Sequence, residues 1–213
     1  EGDDYLIDNQ KLQIQVDILE KNPDCSFVCN KTTIHYPNNI VMDTYPNMPS
    51  GKYSLDDVLK FDYIFVSSIA SRVVRTDCIG DFDNGHYLLD SSQAYMLLEK
   101  GNMYFLDRIM NVYRITGSGV WTGLKLEERF NLVFKLFMTF NEYSESKYEK
   151  PLLRLLISDL TVAYNQKYYP HWNDHKNKNF ALENTRTDKL KRLKHYILPP
   201  LIIDILNLPR DFL

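Results

Sequence analysis

Apolar residues in the first part of the chain follow a helical period and then the pattern of a strand. Leu12, Val16 and Leu19 form one apolar stripe at helical spacing, which predicts a helix over 11–22. A proline directly after this helix would end it. The apolar run 26–29 then predicts a short buried strand, and a loop rich in Pro and Asn follows.

Two further helices are predicted before residue 102. Ser54 and Asp57 form a capping-box pattern, which predicts a short helix that ends at Lys60. A second helix is predicted over 90–100, with Gly101 ending it in a left-handed conformation. The inner face of this second helix consists of Ala94, Leu97 and Leu98.

Strands are predicted between and after these helices. A strand and turn are expected over 63–74, and two short strands over 103–106 and 111–115. Helices and strands therefore alternate over the first part of the chain, which indicates an α/β fold.

The pattern changes beyond Trp121, where long helices are predicted. One covers 126–141, and Pro151 lies in the first turn of another. We therefore expect an α/β part over 1–122 and an all-helical segment over 123–213.

Composition and charge narrow the class of protein. Hydrophobic residues make up 44% and charged residues 25% of 213 residues, which excludes collagen, coiled coil and wholesale disorder. The net charge of −3 gives no basic field, so nucleic acid is not expected as a partner. The basic segment 186–194 is expected to be a solvated helical face, with contact to anionic lipid as the alternative.

The cysteines, the apolar runs and the first residues of the chain indicate its compartment and extent. Cys25, Cys29 and Cys78 form neither an even disulfide framework nor a zinc site, so we expect reduced thiols in a cytosolic protein. No apolar run approaches the roughly 20 residues of a membrane span. The sequence begins at Glu1 inside an acidic motif, and we expect a further segment upstream.

Acidic and basic side chains supply the candidate chemistry. The opening Glu1-Gly2-Asp3-Asp4 offers carboxylates of the kind that hold Mg²⁺, although a solvated acidic turn explains it equally. Asp90 begins a helix, where it is either a helix cap or a general base. Arg114 precedes a two-glycine loop and can pair with a phosphate or neutralise nearby acids.

In order, these segments resemble the second half of a family 2 glycosyltransferase with the GT-A fold. The resemblance covers about residues 1–125, and Leu6 and Thr116 depart from it, the latter where relatives often carry a histidine. It rests on Glu1-Gly2-Asp3-Asp4-Tyr5 with the helix that starts at Lys11, Val66-Ser67-Ser68 before Arg72, Asp90 before Gly101, and Tyr113-Arg114-Ile115 with Gly119-Val120-Trp121.

The resemblance implies a partial GT-A sheet and an inverting, metal-dependent sugar transfer. Asp3 and Asp4 would hold Mg²⁺ or Mn²⁺ against the diphosphate of a nucleotide-diphospho-sugar donor. Asp90 would take the proton from the acceptor hydroxyl. The remaining assignments are donor contacts at Glu1, Arg114 and Trp121, and acceptor contacts at Tyr87 and Ser68.

Partners and location follow from the same resemblance. The acceptor would be a saccharide or a lipid-linked saccharide in bacterial surface polysaccharide or glycan synthesis. The protein would act in the cytoplasm, with peripheral contact at the inner face of the membrane as a further expectation.

Two other functions stay open. Family members carry a nucleotide-binding βαβ half before the acidic motif, so this chain would be a fragment that binds nucleotide sugar poorly alone. The first alternative is a non-catalytic sugar-binding or partner-binding module derived from such an enzyme. A nucleotidyltransferase also needs acidic metal ligands on an α/β sheet.

Overall fold

A computed structural model describes residues 4–36, 41–43, 48–60, 67–79, 90–116 and 123–157. The chain divides into two compact units, Glu1–Asp159 and Leu160–Leu213, and the second lies outside the described residues. The boundary predicted after residue 122 stays a prediction. The elements are β1 (Tyr5–Leu6), α1 (Lys11–Lys21), β2 (Cys25–His35), β3 (Val41–Asp43), β4 (Gly51–Tyr53), α2 (Leu55–Lys60), β5 (Val73–Val74), α3 (Asp90–Lys100), β6 (Asn102–Arg114) and α4 (Leu126–Tyr143).

The sheet is mixed and is organised around the two long strands β2 and β6. These strands run parallel to each other, and the path of neighbours is β1-β6-β2-β3. The short strand β4 pairs antiparallel with the amino half of β6, while β1 pairs antiparallel with its carboxyl half. With helices beside the sheet, this confirms the predicted α/β class.

The strand predicted at 26–29 is longer than expected. β2 continues to His35 through Asn30, Thr32 and Thr33, which the sequence pattern placed in a loop. These three polar side chains are buried, and those of Asn30 and Thr32 hydrogen-bond Asn111. Internal partners therefore replace the apolar residues that normally mark a buried strand.

The region predicted as two short strands is a single one. β6 runs without interruption through 107–110. The register of its pairing with β2 shifts on both sides of Lys31, as at a β-bulge. The predicted left-handed stop at Gly101 is wrong, because its φ lies outside that region. A Cβ there would lie 3.0 Å from the Asp24 oxygen and from the Ser26 nitrogen, so close backbone approach requires glycine.

Helix α1 begins at the predicted residue, but only part of its predicted apolar stripe faces the core. An apolar stripe normally faces the core, yet Leu12 is 56% and Val16 42% exposed. Lys11 and Gln15 are instead buried together with Leu19. The predicted apolar stripe is therefore split between solvent and core.

The other predicted helices are confirmed where the structure describes them. α3 covers 90–100 with its predicted inner face buried, and α4 begins at Leu126. The capping box of α2 forms, since Asp57 Oδ2 accepts from the Ser54 nitrogen at 3.1 Å and Ser54 Oγ accepts from the Asp57 nitrogen at 3.2 Å. Among the described helices, none has the length and apolarity needed to cross a bilayer.

Candidate active site at the carboxyl ends of the parallel strands

The last residues of the two parallel strands lie side by side. His35 ends β2 and Arg114 ends β6, and the two are register partners. The Ile115 nitrogen donates to the His35 carbonyl at 2.8 Å, which continues the pairing past Arg114. In α/β proteins, ligands bind outside the carboxyl ends of parallel strands. This edge is therefore the candidate site.

Asp4 is brought to the same edge by β1. Tyr5 and Leu6 pair with Val112 and Asn111 of β6, so the residue before Tyr5 lies next to the end of that strand. The backbone nitrogen of Arg114 donates to Asp4 Oδ1 at 3.3 Å. Two of the predicted donor-side residues, Asp4 and Arg114, thus meet in the folded chain.

One carboxylate at this edge is of the kind that binds a hard divalent cation. Mg²⁺ takes one or two protein carboxylates and leaves its other positions to water and phosphate, and Asp4 offers such a carboxylate. Within the described ranges, no three His, Cys, Asp or Glu side chains converge on a metal-binding position. Glu1 and Asp3 lie outside the described residues, as do Tyr87 and Trp121.

Tyr5 links the two strand ends through its side chain. Its hydroxyl lies 3.2 Å from His35 Nδ1, and the two rings meet edge to face with centroids 6.1 Å apart. The Arg114 Cζ lies 5.8 Å from the centre of the Tyr5 ring. His35 was missed by the sequence analysis because the end of β2 had been assigned to a loop.

Asp90 is held at the start of α3 by Arg72. Arg72 Nη2 donates to the Asp90 carbonyl at 2.7 Å, and Nη1 donates to Gln93 Oε1 at 3.1 Å. The same guanidinium donates from Nε to Ser67 Oγ at 2.6 Å and also bonds the Ser67 carbonyl. Burial lowers the pKa of Arg72 to about 10, while the neighbouring Asp90 carboxylate favours its charged form.

Ser68, predicted to contact the acceptor, is buried in the loop that carries Arg72. Its hydroxyl lies 3.2 Å from the Thr32 hydroxyl, and its carbonyl accepts from Ser71 Oγ at 2.7 Å. The contacts described for Ser68 are therefore within the protein. Its role toward an acceptor stays a prediction.

A buried chain of polar side chains runs beneath this loop. Lys11 Nζ donates to Gln15 Oε1 at 2.7 Å, and Gln15 Nε2 donates to Asn30 Oδ1 at 3.2 Å. Asn30 Nδ2 donates to Asn111 Oδ1 at 2.7 Å, which also accepts from the Thr32 hydroxyl at 3.2 Å. The network joins α1, β2 and β6 through hydrogen bonds.

This network contacts elements that carry Asp4 and Arg72. Asn111 is the register partner of Leu6, two residues after Asp4. Thr32 contacts Ser68, four residues before Arg72, which holds Asp90. The network thus contacts the strand next to Asp4 and the loop that carries Arg72.

The three cysteines form no disulfide, and among the described residues they belong to no cluster that could bind a metal. Cys25, Cys29 and Cys78 are free, and the first two are buried. Burial raises the pKa of Cys29 to about 12, although nearby Arg72 acts in the opposite direction. Its thiol is consequently uncharged at neutral pH.

Comparison with known proteins gives no assignment: no family model matches the chain, and no curated protein does.

Proposed function

We propose that the protein is an inverting glycosyltransferase that moves a sugar from a nucleotide-diphospho-sugar to an acceptor hydroxyl. The observation that carries the proposal is the contact between Asp4 and Arg114 at the carboxyl edge of the parallel strands. This edge combines a carboxylate that suits a divalent cation with a guanidinium that suits a phosphate. Arg72 separately holds Asp90 at the start of α3.

Some of these residues act on the leaving diphosphate and one acts on the attacking hydroxyl. Asp4 would hold Mg²⁺ or Mn²⁺, which when bound neutralises negative charge on the departing diphosphate. Arg114 pairs with a phosphate oxygen and orients the donor. Asp90 accepts the proton of the acceptor hydroxyl as that oxygen attacks the anomeric carbon opposite the leaving group.

Arg72 supports Asp90 through the backbone. Its bonds to the Asp90 carbonyl and to Gln93 fix the first turn of α3. A base fixed in this way needs little reorganisation before proton transfer.

The decisive variant is Asp90→Asn, measured in the protein as its gene encodes it. A panel of nucleotide sugars and saccharide acceptors with Mg²⁺ or Mn²⁺ first identifies a transfer reaction. Loss of a general base then lowers kcat by roughly 10²- to 10⁴-fold with little change in donor affinity.

Asp56→Asn is the matched control, since Asp56 is an exposed aspartate in the first turn of α2. This control should keep the wild-type kcat. A transfer rate in Asp90→Asn equal to that of the control contradicts the proposal. A wild-type protein that binds sugars but transfers none supports the binding-module alternative instead.

A further inference from the structure

We propose that His35 binds the diphosphate of the donor by donating a hydrogen bond from Nε2, with Tyr5 as the residue that positions its imidazole. The inference rests on the proposed function, because it assigns one more contact to the donor site. No residue role expected from the sequence includes His35.

The position of His35 is the first support. It ends β2 directly beside Arg114 at the end of β6, and neighbouring strands lie about 4.8 Å apart. Both side chains can bond nitrogen-bound hydrogens to anionic oxygens. One diphosphate group at this edge can therefore contact both strand ends at once.

The hydrogen bond with Tyr5 is the second support. Tyr5 Oη lies 3.2 Å from Nδ1, so when the hydroxyl donates, Nδ1 is an acceptor and the proton of a neutral imidazole resides on Nε2. Which ring nitrogen of a histidine is protonated depends on the bond made by the other. With the Tyr5 hydroxyl as donor, Nε2 carries the ring hydrogen and can donate it to a phosphate oxygen.

The charges near His35 are the third support. Arg114 contributes a positive charge beside the Tyr5 ring, and Asp4 contributes a negative charge bonded to the Arg114 backbone. These two charges offset each other, so a neutral donor such as Nε2–H adds attraction for an anion. An imidazole that is half-buried at a strand end also remains accessible to a ligand.

The test measures binding of inorganic pyrophosphate without added metal, by calorimetry, to the protein as its gene encodes it. His35→Phe keeps a ring but removes the donor, so its Kd should rise about tenfold. His35→Gln retains an amide donor near the same place and should recover most of this loss. Lys52→Gln, on β4 at the amino half of β6, is the control and should bind like wild type.

Tyr5→Phe separates positioning from packing. It keeps the ring beside Arg114 but removes the hydroxyl, so the Kd should rise about threefold, and nitrogen NMR of His35 should show a smaller Nε2-protonated fraction. An unchanged tautomer together with an unchanged Kd would refute the role given to Tyr5.

Equal pyrophosphate affinity in His35→Phe, His35→Gln and wild type overturns the inference, whatever the transfer assay shows. Absence of pyrophosphate binding by the wild type overturns it as well. Conversely, the pyrophosphate result can hold while Asp90→Asn leaves transfer unchanged. The proposed function would then fail and the anion site would remain.

Discussion

Helices α1 and α3 both pack against β2, yet they are held by different forces. α3 buries the consecutive residues 94–98, of which each is at most 5% exposed. α1 buries Lys11 and Gln15 and leaves Leu12 and Val16 exposed. The difference indicates that α3 is fixed by apolar area, whereas α1 combines the apolar packing of Leu19 with hydrogen bonds of Lys11 and Gln15.

The two modes of packing suit what each helix does near the candidate site. Apolar packing fixes α3 firmly, and its first residue is the proposed base Asp90. The polar side chains of α1 reach Asn30 and, through it, Asn111 beside β1. Among the described residues this network is satisfied except at Asn111 Nδ2, which is buried without a hydrogen-bond partner. Its other hydrogen bonds are directional and therefore restrict how the strands can be arranged.

A leucine-to-alanine substitution on each helix tests this difference. The larger loss of stability is expected on α3. Leu97→Ala on α3 removes a side chain that is 0% exposed and leaves a cavity, so the free energy of unfolding should fall by about 2–5 kcal/mol. Leu12→Ala on α1 is the matched control and should change it by less than about 0.5 kcal/mol. Urea denaturation measures both.

An equal loss in the two variants would contradict the comparison. It would mean that the exposed side of α1 also contributes packing energy, for example against another part of the protein.

A smaller effect is expected from the pH dependence of the α1 network. Burial lowers the pKa of Lys11 to about 8 from a model-peptide value of 10.5, partly offset by Cys29. Between these two values the unfolded chain binds a proton that the folded chain does not. The free energy of unfolding contributed by this group therefore rises with pH over that range and is constant below it.

Lys11→Met should remove this rise, which is on the order of 2 kcal/mol. Urea denaturation at pH 7, 8, 9 and 10 measures the difference between wild type and variant, in which the titration of other groups cancels. A difference that does not vary with pH would show that the Lys11 ammonium is hydrated in the folded protein.

The contrast between the helices also explains how much of the fold the sequence could predict. The pattern at Ala94, Leu97 and Leu98 predicted α3 correctly because apolar burial follows periodicity. The burial of Lys11 and Gln15 depends on partners that are distant in the chain, such as Asn30 and the Ser71 carbonyl. Periodicity contains no information about such partners.

In the candidate site, too, some residues could be predicted from the sequence and others could not. The resemblance suggested Asp4 and Arg114, and the structure brings them into contact. His35 could not be found in this way, since its place depends on the extension of β2 beyond residue 29. One available signal was Thr32-Thr33-Ile34, a run of β-branched residues that favours a strand.

The most direct test of the central claim is the anomeric configuration of the product, determined by proton NMR from the reaction with a nucleotide sugar of known configuration. A single attack assisted by Asp90, opposite the diphosphate near Asp4, predicts complete inversion. An α-linked donor should therefore give only β-linked product. A product that retains the donor's configuration would contradict this account.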